Sequence, residues 1–284
     1  MRGCAIALAA ACIPAVVGAQ KTPEYTNSIG MAFVLIKPGT VVIGRFQPPY
    51  PKPVDPSAPL AGRGGGGRVR GTPLTPEEYK RIEEIARADY RSGFDVKIDR
   101  PFYIGKFEVT QAQWTRVMGA NPSTFQGSKV TGPSDDLPVE TVTWADAQAF
   151  IKMLNAQEKT SVYRLPTEFE WEYAARAGAA DDIPWADIRQ QAYNSGPTPQ
   201  AVGKMKPNPW GLHDMLGNVW EWVQDVYNEK AFADPTPPRQ GREHVHVLKG
   251  GGFLADVKNM TYLTHAAGPG SKFDVGFRVV REAR

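Results

Sequence analysis

The chain has 284 residues, 42% of them hydrophobic, and its 33 basic and 30 acidic side chains leave a formal net charge of +3 spread along its length. That spread excludes the clustered positive face a nucleic-acid-binding protein needs, while the apolar content is enough to bury a sizeable core. Both cysteines, Cys4 and Cys12, lie near the N-terminus, so residues 13–284 can form no disulfide, ligate no metal through a thiolate and run no thiolate chemistry.

The first nineteen residues read as a targeting segment. Arg2 supplies a positive start, residues 4–17 are apolar and mostly small, and Val17-Gly18-Ala19 offers small side chains for cleavage before Gln20. The expectation is a signal peptide over 1–19 and a secreted or periplasmic product over 20–284 that carries no cysteine. Lipidation at Cys12 would leave an apolar stretch of only about eight residues, near the lower limit for export. No other stretch is long and apolar enough to span a bilayer.

Residues 31–46, MAFVLIKPGTVVIGRF, are two β-rich runs joined at Lys37-Pro38-Gly39-Thr40, a hairpin signal. Residues 47–96 then read as a Gly/Pro-rich insertion, whose first part has too few apolar side chains to offset the entropy of ordering. A short helix is predicted from Thr75, with Pro76 at its first position, Glu78 closing the cap and Gly93 as its stop. From Lys97 the chain turns compact. KIDRPFYIGKFEVT is predicted to form a strand, and three helices follow with one start signal: Thr110 with Gln113, Thr143 with Asp146, and Thr167 with Glu170. The second sets Ala147, Phe150, Ile151 and Leu154 on one apolar face, and the third ends at Gly178. Beyond it the chain is mostly loop, with HVHVLKG (244–250) and GFRVVR (276–281) as candidate strands. No internal repeat or second core is visible, so residues 20–284 are read as one domain.

The stretch GLHDMLGNVWEW, residues 211–222, is the first candidate site. Hard cations such as calcium take oxygens from carboxylates and backbone carbonyls, which converge in irregular turns. Asp214 and Glu221 have carboxylates, and Gly217 and Val219 have carbonyls to add. The other reading of the same residues is structural, with Trp220 and Trp222 as core anchors and the acidic groups tying the loop together.

Four motifs in order, YRLPTEFEWEYAARAG (163–178), NPWGLHDMLGNVWEW (208–222), VLKGGGF (247–253) and GFRVVR (276–281), resemble the sulfatase-modifying factor family. Its type member is the formylglycine-generating enzyme. LPVETVTWADAQAF (137–150), FYIGKFEVTQAQW (102–114) and the run at residues 31–46 fit the same family. The resemblance implies a single α+β domain related to C-type lectins, with low regular secondary structure and bound calcium. It also implies a pair of cysteines that, with copper, oxidise a sulfatase cysteine using molecular oxygen. That pair follows a segment matched here by Gly250-Gly251-Gly252-Phe253, and its two positions fall at Ala255 and Met260, neither of which carries a thiol. One family calcium site corresponds to Asp214, Gly217, Val219 and Glu221, so structural calcium is expected there, whereas copper or iron is not. A second family site would begin at Asn194-Ser195, but the acidic loop that completes it is shortened to GPTPQAVGK.

Histidines offer a rival chemistry. His244 and His246 share a face if HVHVL is a strand, and His265 lies in the region that lines the family's groove, so the three together would suit zinc, copper or non-haem iron. The plain alternative is an ordinary half-exposed strand. Asp135-Asp136 and the set Glu168, Glu170 and Glu172 are read as caps or solvated faces, the latter at a helix start where Glu favours the dipole. Arg278 is expected to brace the core or the floor of the groove. The resulting expectation is an exported family member whose groove still takes a protein, peptide or glycan ligand without the oxidase thiols. Metal-dependent oxidation through the histidines is the alternative, and formylglycine generation the least favoured reading.

Overall fold

The computed structural model describes residues 23–43, 93–179, 188, 190–194, 196–227, 245–255, 260–262, 265–268 and 272–283. The expected signal peptide, residues 47–92 of the expected insertion with its predicted helix, and His244 lie outside these residues.

The strands are β1 (Glu24–Thr26), β2 (Ala32–Ile36), β3 (Gly39–Ile43), β4 (Phe94–Ile98), β5 (Phe102–Gly105), β6 (Tyr163–Arg164), β7 (Trp220–Val226), β8 (His246–Lys249), β9 (His265–Ala267), β10 (Val275–Phe277) and β11 (Val280–Glu282). The helices are α1 (Gln111–Met118), α2 (Trp144–Gln157) and α3 (Glu168–Arg176). An antiparallel sheet has the order β1-β2-β5-β11-β6, a second has β10-β7-β8-β9 with β10 parallel to β7, and β3-β4 form a separate ribbon. The fold is α+β with short strands and long connections, as expected.

Helix starts follow the sequence closely. In all three the Thr side chain accepts from the backbone N–H three residues on, while Gln113, Asp146 or Glu170 accepts from the Thr backbone N–H. These reciprocal caps satisfy two donors that a helix start otherwise leaves open. Helix α3 stops at Ala177 and Gly178, both left-handed.

Strand pairing departs from the sequence expectations in three places. First, β2 and β3 do not pair; β2 joins β1 and β5, and β3 joins β4. A two-residue connection through Lys37-Pro38 would put positive φ on Lys37 in either primed turn and, in type I′, on Pro38 as well, where the ring forbids it, so a tight hairpin is disfavoured there. Second, the insertion ends sooner than residue 96, because Phe94–Ile98 is β4 and pairs with β3 from Gly39↔Ile98 to Ile43↔Phe94. Third, KIDRPFYIG is two strands in different sheets, split at Asp99-Arg100-Pro101, where proline lacks the donor a ladder requires. GFRVVR divides likewise: Phe277 ends β10 in one sheet and Val280 opens β11 in the other.

Two apolar clusters fill the interior. One gathers Trp171, Ile104, Leu216, Val223 and Val247. The other packs helices α1 and α2 on Phe277, with Trp114 stacked on Phe150 at 5.4 Å and Phe277 edge-on to Phe150 at 5.4 Å. The loop from residue 208 to β7 and the turn after β8 lie between them and carry the buried charges described next.

Candidate functional site

The loop preceding β7 is pinned by asparagines. Asn208 accepts through Oδ1 from the backbone of Trp210 and Leu212 and donates through Nδ2 to the carbonyls of Ala174 and Ala175, fastening the loop to the end of α3. Four of the next residues, Gly211, Asp214, Gly217 and Asn218, have positive φ. Gly217 is required: a Cβ there would lie 2.5 Å from the Tyr193 carbonyl oxygen. Asn218 holds its left-handed turn by donating its backbone N–H to Tyr193 and its Nδ2 to Glu108 at 2.6 Å, and by accepting at Oδ1 from Gln200.

That turn encloses a cluster of buried charge. Arg278, fully buried, donates to both oxygens of Glu221 at 2.6 Å and also to the carbonyls of Gly105, His213 and Asp214. Trp171 Nε1 donates to Glu221 at 2.7 Å. Glu108, which the sequence reading passed over, accepts from Asn218 Nδ2 and the Val219 N–H. Three carboxyl groups, Glu108, Asp214 and Glu221, therefore share one guanidinium, which is an unfavourable balance in a low-dielectric interior. Burial, then the charges of Asp214 and Glu221, raise the Glu108 carboxyl well above the usual range. Burial likewise pushes Asp214 up to about 6.

Calcium fits this cradle at one atom and poorly at another. Asp214 accepts from the Gly203 N–H through Oδ2, while its Oδ1 is buried with no hydrogen-bond partner, and an orphaned acceptor of this kind suits a cation. Glu221, expected as a ligand, has three of its roughly four lone-pair positions taken by Arg278 and Trp171. Its first role is the buried ion pair with Arg278, which was expected to brace the core or the floor of the groove. Among the described residues no three His, Asp or Glu side chains converge as a metal cluster. Trp222 is a core anchor, donating to the Val142 carbonyl, whereas Trp220 is partly exposed.

The glycine turn after β8 closes the same region. The Gly250 carbonyl accepts from Gly217, and Phe253 donates its N–H to the Asn218 carbonyl. Ala255 Cβ and Met260 Cγ each lie within 4 Å of the point a Gly251 Cβ would occupy, so the two positions matched to the family cysteines adjoin in space. Met260 is fully buried. Beside them Phe125, Phe253 and Phe273 form an aromatic cluster with ring centroids 5.6 to 6.3 Å apart, and Leu254 and Phe273 are exposed.

Beneath the turn lies a second buried network that corrects one expectation. Glu170 is a cap residue, but Glu168 and Glu172 are buried rather than solvated, 3.6 and 3.5 Å from the Lys249 ammonium, and Glu172 also pairs with Arg176 at 2.8 Å. The i, i+4 spacing of 168, 172 and 176 puts all three on one helix face, a signal present in the sequence. Asp135 and Asp136 are exposed, as read.

Two of the three histidines fall within the described strands. His246 stacks face to face on Trp144 with centroids 3.7 Å apart. His265 is paired across the ladder with Lys249, three residues from His246, which separates the two backbones by about 10 Å.

Residues 29–283 match the family of sulfatase-modifying factor enzyme 1-like domains. The chain is 31% identical over 238 residues to the chaperone protein LppX of Paenibacillus barcinonensis, covering 63% of this chain and 80% of that one. It is 33% identical over 165 residues to the formylglycine-generating enzyme of Streptomyces coelicolor, a match that spans 50% of each chain. Among solved structures it resembles Treponema denticola variable protein 1, with a TM-score of 0.68 at 23% identity over 92% of this chain and 99% of that one.

Proposed function

Since the chain belongs to the sulfatase-modifying factor enzyme 1-like family, we propose that it is an exported, calcium-stabilised binding module of that family which recognises a polypeptide and does not generate formylglycine. The observation that carries this reading is the pair Ala255 and Met260, side by side where the family chemistry needs two thiols. A methyl group and a buried thioether can neither ionise to a thiolate nor form a disulfide. The exposed Leu254 and Phe273 beside them supply the apolar anchor area that binding surfaces use. The relative named a chaperone favours a polypeptide over a glycan as the ligand.

Calcium in this reading is structural. Asp214 Oδ1 would hold it with the carbonyls of Gly217 and Val219, and the ion would supply charge compensation for the surplus carboxylates. Incubating residues 20–284 with a cysteine-containing sulfatase-type peptide should give no oxygen uptake and no change in peptide mass. Any oxidised peptide overturns the reading.

A further inference from the structure

A cavity of about 660 Å³ lies between β4, the start of α3 and the ends of β5 and β11, and shares no residue with the site above. Val96, Lys97, Ile98 and Asp99 all line it. Successive side chains of a strand point to opposite faces, so a cavity lined by the consecutive residues Val96, Lys97 and Ile98 runs along the edge of β4 at its C-terminal end, not across one face. β4 pairs with β3 alone, which leaves this edge without a partner strand among the described residues. Such an edge is a template for another chain. The floor is apolar: Ile98 and Phe102 are buried, and half-buried Phe169 packs edge-on against Phe94 at 5.7 Å. Around the rim Arg164 is held by Glu170 at 2.6 Å and Glu282 at 3.6 Å, and Lys97 by Asp99 at 2.7 Å. Arg100, exposed in the turn after β4, has no acidic partner among the described residues.

We propose that this edge accepts an extended segment of a partner protein as a third strand beside β4, with an apolar side chain in the cavity and a carboxylate on Arg100. The added strand would satisfy the open backbone, and the alternation of its side chains would send every second one to the apolar floor. Arg100 selects an acidic segment because the other cations of the rim are already neutralised. The site does not depend on the function proposed for the thiol-less groove.

Two fluorescein-labelled, N-acetylated pentapeptides test it, one alternating Val with Glu and one alternating Val with Lys. In fluorescence anisotropy the Val/Glu peptide should bind at least about tenfold tighter than the Val/Lys peptide, and Arg100→Glu should reverse the order. Phe169→Ala should weaken the Val/Glu peptide by about tenfold. Hydrogen exchange should slow at residues 94–98 when it binds. Leu254→Asp should leave its affinity unchanged, which separates this edge from the groove. No binding of either peptide at about 1 mM, affinity unaffected by both Arg100→Glu and Phe169→Ala, or loss of binding in Leu254→Asp would each overturn the proposal.

Discussion

Asp214 carries the residue-scale consequence. Its carboxyl is raised by burial from an ordinary 3.8 to about 6, so the folded chain binds this proton more tightly than the unfolded chain. Stability without a cation is therefore lost as pH rises through about 6 and gained as pH falls, by about 1.4 kcal/mol per unit down to about pH 4. Thermal unfolding in a chelator should show wild type gaining on Asp214→Asn as pH falls from 7.5 to 5. Calcium added at pH 7.5 should raise the wild-type midpoint and leave Asp214→Asn nearly unmoved; equal shifts in both proteins would exclude Asp214 as a ligand. The sequence made Asp214 and Glu221 visible because they sit in one short motif. It hid Glu108, whose partner Val219 is 111 residues away, since an acid three residues past a strand looks the same whether it faces water or the core.

At the scale of elements, local rules were legible and long-range ones were not. The reciprocal caps of α1, α2 and α3 need residues only three apart, and all three formed. Strand partners depend on residues brought from far along the chain, so β2 and β3, adjacent in sequence, ended in different sheets. The face of α3 holding Glu168 and Glu172 makes a testable claim about how this helix is attached. Lys249 is fully buried between those two carboxylates and lies 5.5 Å from the centre of the Trp171 ring. Removing the cation leaves Glu168 and Glu172 with one buried positive charge fewer, Arg176 remaining on Glu172, so Lys249→Ala should cost about 3–5 kcal/mol in denaturant unfolding. Glu168→Gln added to it should recover part of that loss. Additive losses would mean the pair is not coupled.

On the scale of the whole molecule, β10 and β11 decide closure. β10 lies parallel to β7 in the second sheet, and β11 runs between β5 and β6 in the first, with two residues, Arg278 and Val279, carrying the chain across. Arg278 donates on one side to Gly105 at the end of β5 and on the other to Glu221 in β7, so the residue that changes sheets is also the one that ties them. A chain truncated after residue 274 loses both strands and this arginine. It should show no cooperative thermal transition, whereas a folded truncated form would show that the sheets close without them.

The position of β11 also orders events in time. A central strand drawn from residues 280–282 cannot be filled until every residue before it has been synthesised, and the β5–β6 gap stays open until then. The growing chain thus remains without the closed first sheet until that segment emerges. Delay of that kind keeps a polypeptide threadable through a narrow channel until the closing strand arrives.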